Sequence, residues 1–184
     1  GSCLRTNAGS LESVTTGPNG QGYLYLYYTS MNLATWLKHV ATEWDKELCE
    51  KSGGCECQGD DHPNFPFGIP EITAADRCQP EHAFDKETCL RALASGLFHM
   101  EVFVKYIEQT LVSERPPTYS WITAKHLANT LKSLMEDPET VTYPDAQVKD
   151  SYSQMLASYT DFRTVVIKHL ILQGYEGSVR ACKV

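Results

Sequence analysis

Seven cysteines, Cys3, Cys49, Cys55, Cys57, Cys78, Cys89 and Cys182, are the residues whose type and spacing most directly imply chemistry. Cys49 with Cys55, and Cys78 with Cys89, each close a short local loop, which suits disulfides formed in an oxidising compartment. The competing readings are scattered free thiols, or a zinc site drawn from Cys55, Cys57, Cys78 and Cys89. The spacing between those pairs fits no compact C-x-x-C framework. His99, His126 and His169 fall in helical runs without a Ser, Cys or paired carboxylate spaced for a triad or metal site, and read as surface or boundary residues. There is no G-x-G-x-x-G, P-loop or H-E-x-x-H. No catalytic residue, metal ligand or cofactor is expected. Function must then rest on surface recognition, where a few aromatic and Arg anchors dominate.

The rest of the composition agrees. At 184 residues the chain fits one domain with a real core, and 42% hydrophobic with 21% charged residues argues against wholesale disorder. A net charge of -7 disfavours nucleic acid and anionic membrane as partners. The apolar run Val165 to Leu172 is broken by Lys168 and His169 and is too short to span a bilayer, so no membrane insertion is expected. Secretion is read from the cysteines.

Stepping along the chain, residues 1–22 are rich in Gly, Ser, Thr and Asn and read as a flexible lead-in. A helix is expected over Tyr23 to Glu50, with Leu26, Leu33, Leu37, Val40, Ala41, Trp44 and Leu48 on one face, ended by Gly53 and Gly54. Residues 51–84 form a long connection punctuated by Pro63, Pro66, Pro70 and Pro80. A second helix starts near Asp85, a good N-cap, with Glu87 in its first turn. Its stripe of Leu90, Leu93, Leu97, Met100, Val104, Ile107 and Leu111 alternates steps of three and four, the seam of a left-handed bundle. Gly96 costs such a helix ~1 kcal/mol, which predicts a close neighbour there. A third helix begins near Thr118 or Ser120, carries Ala124, Leu127, Leu131 and Leu134, and stops at Pro138. A fourth is expected from Ala146 to Tyr175, with Val148, Tyr152, Met155, Tyr159, Val166 and Leu170 as its stripe.

Four such helices bury their stripes on one another as an all-α four-helix bundle. The long first connection makes the first two helices parallel, and the short second makes the next pair antiparallel. The third, about ten residues, stretches ~33 Å, enough to run back along a helix of ~28 Å. The expected topology is up-up-down-down.

Several segments resemble one family. Residues Asp85 to Phe103 resemble the interleukin-6/granulocyte colony-stimulating factor signature: a cysteine pair about ten residues apart, a short gap, then Gly96-Leu97 and an aromatic-containing helix. Cys49-Glu-Lys-Ser-Gly-Gly-Cys55 has the family's cysteine gap, and Ile69-Pro70, Thr123-Ala-Lys-His-Leu and Lys168-His-Leu-Ile-Leu resemble further segments in the same order. Ser178-Val-Arg-Ala resembles the end of the last helix, with several residues missing before it. The departures are one extra residue between Cys78 and Cys89, Met100 for an aromatic, and Val104 for leucine. A colony-stimulating-factor-like cytokine is the nearer rival reading, and a helical lipid or metal carrier the more distant one.

The resemblance implies disulfides Cys49–Cys55 and Cys78–Cys89 in the first crossover. With that topology, Cys3 and Cys182 share one end of the bundle and are expected to pair, leaving Cys57 odd. It also implies a monomeric secreted ligand with three receptor-facing patches. The one for a specific alpha receptor matches Phe84, Arg180 and Lys183 here, although Phe84 also suits a staple on the second helix. The one for a gp130-type signal transducer matches Trp36, Lys125 and His126. Trp36 stands out independently, projecting about 100° from the centre of its helix's apolar stripe; a Trp covered by the crossover is the alternative. The third patch, also for the transducer, joins Phe65 and Phe67 to Phe162, for which core packing is the alternative. Shortening before Ser178, with Gly174 and Gly177, marks the last helix as the place where this chain departs most.

Overall fold

The computed structural model describes residues 20–51, 70–110, 120–158, 162–173 and 175–183. Their regular structure is helical: α1 (Gly20–Lys51), α2 (Lys86–Thr110), α3 (Ser120–Ser133), α4 (Ala146–Ser158), α5 (Phe162–Leu172) and α6 (Tyr175–Ala181), with no strand among the described residues. Single 3-10 turns lie at Ala74–Asp76, Pro80–His82 and Pro138–Thr140. No helix of the described residues is long and apolar enough to cross a membrane. α1 begins at Gly20, inside the lead-in expected over 1–22; residues 1–19, Leu111 and Thr118 lie outside the described residues.

The stripe on α2 is the centre of the core. Leu90, Leu93, Leu97, Met100, Val104 and Ile107 are all fully buried, as the alternating spacing requires. They meet Leu37, Val40, Ala41 and Trp44 of α1, Ala124, Leu127 and Leu131 of α3, and Val166, Ile167 and Leu170 of α5 in one cluster. α2 starts where the sequence places its cap: the Asp85 carboxylate accepts the Thr88 N–H at 3.0 Å. Asp145 does the same for α4, accepting the Val148 N–H at 2.8 Å. The expected neighbour of Gly96 is Pro70 of the first crossover; a Cβ on Gly96 would stand 3.6 Å from the Pro70 Cβ.

Contacts between helix ends fix the directions. Lys86, at the start of α2, lies 4.6 Å from the ring centre of Tyr23 at the start of α1, so these helices run parallel. The Ser120 N–H at the start of α3 donates to Glu108 near the end of α2 (2.7 Å). At the other end, the backbone N–H groups of Glu136 and Asp137 each donate to the Glu87 carboxylate at 2.9 Å. α3 is therefore antiparallel to α2. Arg163 of α5 donates to the Thr110 carbonyl (3.2 Å), Thr35 of α1 to Glu176 of α6 (3.0 Å), and the Tyr23 hydroxyl to the Cys182 carbonyl. α5 and α6 thus descend beside α1, completing up-up-down-down.

The fourth helix expected over Ala146 to Tyr175 is instead three helices. Residues 136 to 163 climb α2 in order: Glu136 and Asp137 at Glu87, Thr140 at Arg91, Thr142 at Ser95, Tyr143 against Phe98, Tyr152 against His99 and Phe103, and Arg163 at Thr110. α4 belongs to this rising connection, so the long return is not the ten-residue stretch expected before it, and α5 with α6 forms the fourth member of the bundle. Because Glu87 satisfies the first two free N–H groups of the rise, Glu87→Ala should cost about 1–2 kcal/mol. A lower thermal midpoint, partly restored by Glu87→Gln, is the expected result of calorimetry.

Cys78 and Cys89 form a disulfide across a Cα separation of 4.8 Å, tying the crossover to the first turn of α2. The same bond removes two ligands from the alternative zinc site. Cys49 is buried, while Cys55 and Cys57 lie outside the described residues. Cys182 is buried and its thiol donates to the Ser178 carbonyl (3.5 Å); its expected partner, Cys3, lies outside the described residues. Burial pushes the Cys182 thiol up to about 12, so it stays protonated.

Candidate binding surfaces

The base of the bundle gathers the ends of three elements. Phe84, just before α2, is half-buried against the core, so its ring is partly a packing residue and partly surface. Arg180 and Lys183 are exposed at the end of α6. The Arg180 guanidinium lies 3.5 Å from Glu176, one turn back, and the Lys183 ammonium stands 5.6 Å from the ring centre of Tyr28. With Lys86 on Tyr23, these groups make a basic, tyrosine-lined end. The last helix does depart where the sequence indicates: α5 ends at Leu172 and α6 restarts at Tyr175. Tyr175 and Val179 are buried, which seats α6 and turns Arg180 outward.

What holds the crossover above this end was not legible. The Gln173 side-chain oxygen accepts the Ile72 N–H at 2.6 Å, and the Pro70 backbone lies close enough to the buried His169 ring to favour its charged form. His169 is fully buried, against its reading as a surface or boundary residue. Desolvation drops its pKa to about 4, and the nearby Pro70 backbone only partly opposes this. A neutral imidazole carries no charge into the core, which is why it is tolerated here.

A second surface runs along α1 and α3. Trp36 is 45% exposed, and its ring is tilted against that of His39, with ring centres 5.6 Å apart. Asp45 of α1 faces Lys168 of α5 (3.9 Å), and Trp36 projects to the opposite flank at 100° per residue. That flank is the one toward α3. Tyr25, 73% exposed, projects within about 20° of Trp36 and joins the same stripe; the same projection would have found it from sequence. On α3, Ile122, Lys125 and His126 are exposed. Lys125 follows Trp121 by one turn, and Trp121 carries Lys105 of α2 over its ring at 4.8 Å. Lys125 therefore leans to the α2 flank, while His126 turns toward α1. Counting 1.5 Å per residue from the Tyr23–Lys86 and Glu108–Ser120 contacts puts Trp36 and His126 within about one turn in height. By this projection Trp36 and His126 lie at similar heights on α1 and α3, with Lys125 turned toward α2.

Of the third expected patch, Phe65 and Phe67 lie outside the described residues, and Phe162 is the first residue of α5, at the end of the bundle opposite Arg180.

Comparison with known proteins bears on what these surfaces belong to. The model of the Interleukin-6/G-CSF/MGF family matches residues 16–183. Chicken (Gallus gallus) interleukin-6 is 31% identical over 156 residues, covering 82% of this chain and 64% of the chicken protein. Ferret (Mustela putorius furo) interleukin-6 is 28% identical over 144 residues, covering 76% of this chain and 67% of its own. The chain thus spans a little under two thirds of the chicken relative's length. A solved structure described as a crystal structure of a cytokine/receptor complex superposes with a TM-score of 0.62 at 17% identity, covering 85% of this chain and 94% of that one, a likeness of fold. Since the family model takes in every described helix, the chain belongs to the interleukin-6/G-CSF/MGF family of cytokines.

Proposed function

We propose that the chain is a secreted, monomeric ligand that acts by binding alone, gathering cell-surface receptors on separate faces. The basic end carrying Phe84, Arg180 and Lys183 takes a specific alpha receptor. The groove with Trp36 and His126, flanked by Lys125, takes a gp130-type signal transducer, and a second transducer contact lies at the opposite end around Phe162 with Phe65 and Phe67. The observation that carries this reading is the exposed Trp36, a large aromatic side chain left out of the core on α1. Charge reversal by Arg180→Glu with Lys183→Glu should weaken alpha-receptor binding at least about tenfold and leave transducer binding unchanged. Equal loss at both receptors in a surface-binding assay would refute separate faces.

A further inference from the structure

Two lysines from distant parts of the chain meet at the base of the bundle, and each is seated on a tyrosine of α1. The Lys86 ammonium, at the start of α2, stands 4.6 Å from the ring centre of Tyr23. The Lys183 ammonium, just beyond α6, stands 5.6 Å from the ring centre of Tyr28. Both distances lie within the ~6 Å over which a ring face attracts a cation. The two seats are neighbours. Tyr23 donates its hydroxyl to the carbonyl of Cys182, the residue before Lys183, and Lys86 stands near enough to the Cys182 thiol to oppose the rise in its pKa. The Tyr28 ring is itself braced, meeting the buried Tyr27 edge to face with ring centres 5.1 Å apart.

The carboxylates beside these lysines are turned to the fold. Asp85 accepts the Thr88 N–H, and Glu87 accepts the N–H groups of Glu136 and Asp137. Glu176 accepts the Thr35 hydroxyl and faces Arg180. Among the described residues neither Lys86 nor Lys183 forms an ion pair, although Lys183 is exposed and Lys86 half-exposed. A lysine left to itself samples many rotamers, and ordering them on binding costs affinity; a ring that already holds the ammonium removes part of that cost. We propose that Tyr23 and Tyr28 are positioning residues, which hold the ammonium groups of Lys86 and Lys183 for carboxylates of an acidic segment on the alpha receptor. The assignment rests on the base being the alpha-receptor face, and it adds Lys86 to Arg180 and Lys183 there.

Surface binding of the full chain to a soluble alpha-receptor ectodomain tests this. Lys86→Gln and Lys183→Gln should each weaken binding at least about fivefold, and wild-type affinity should fall as salt rises. Tyr28→Leu keeps an apolar side chain and loses the ring face. It should cost about three- to fivefold, whereas Tyr28→Phe should cost less than about twofold. In the Lys183→Gln background Tyr28→Leu should have no further effect, a coupling that a merely structural role would not produce. The same cycle between Tyr23 and Lys86 should show the same coupling. The thermal midpoint of Tyr28→Leu should stay unchanged, since that side chain is half-exposed. Two results would overturn the positioning role alone: Lys183→Gln weakening binding while Tyr28→Leu does not, or Tyr28→Leu costing as much without Lys183 as with it. Unchanged binding in both lysine variants and in Arg180→Glu would remove the alpha-receptor face as well.

Discussion

Replacing Trp36 with alanine should lower affinity for a gp130-type receptor ectodomain about 30-fold, the ~2 kcal/mol of a central aromatic anchor. The same change should barely move the thermal midpoint, because nearly half of the side chain already faces solvent. Surface binding and calorimetry on one preparation separate the two effects. Tyr25→Ala should show a weaker version of the same pattern, since it extends the same stripe. A large stability loss with Trp36→Ala would mean that the indole is a packing residue, and the α1/α3 groove would lose its anchor.

Mild acid should destabilise the fold by about 3 kcal/mol between pH 6.5 and pH 4, and His169 should be the main source. In the unfolded chain its imidazole takes a proton near pH 6.5; in the folded protein burial holds that off until about pH 4. Within that window the unfolded state binds more protons, so stability falls as pH falls and levels off below the folded value. Asp85 acts in a lower window. The Thr88 side chain and N–H hold its carboxyl below the usual range, so its contribution is lost only as pH falls through that depressed value. Denaturant melts at several pH values check the sign, and His169→Gln should flatten the slope between pH 4 and 6.5. An unchanged slope in that variant would move the acid sensitivity elsewhere.

Local rules made most of the bundle legible. α2 shows why: six apolar positions at alternating steps, an aspartate cap and a cysteine pair all point to one arrangement, and the structure realises each of them. The last third was misread because Val148, Tyr152, Met155, Val166 and Leu170 keep one helical phase across a reversal of direction. Periodicity reports which face is apolar and carries no sign for the direction of travel. No Gly or Pro lies between Ser158 and Phe162 to punctuate the stripe. His169 was misplaced for a related reason: it is covered by chain nearly a hundred residues earlier, near Pro70, which no local pattern contains. Trp36 was legible because exposure on a helix is a local property. The similar heights of Trp36 and His126, and the turn of Lys125 toward α2, needed the relative height and rotation of two helices.

The central claim is that one ligand holds different receptors at once on different faces. Mixing the chain with soluble alpha-receptor and gp130-type ectodomains and measuring masses by analytical ultracentrifugation tests it directly. The account predicts a species containing the chain and both receptors, from which Trp36→Ala removes the transducer and Arg180→Glu with Lys183→Glu removes the alpha receptor. Mutual displacement, with each receptor expelling the other from the chain, would contradict it.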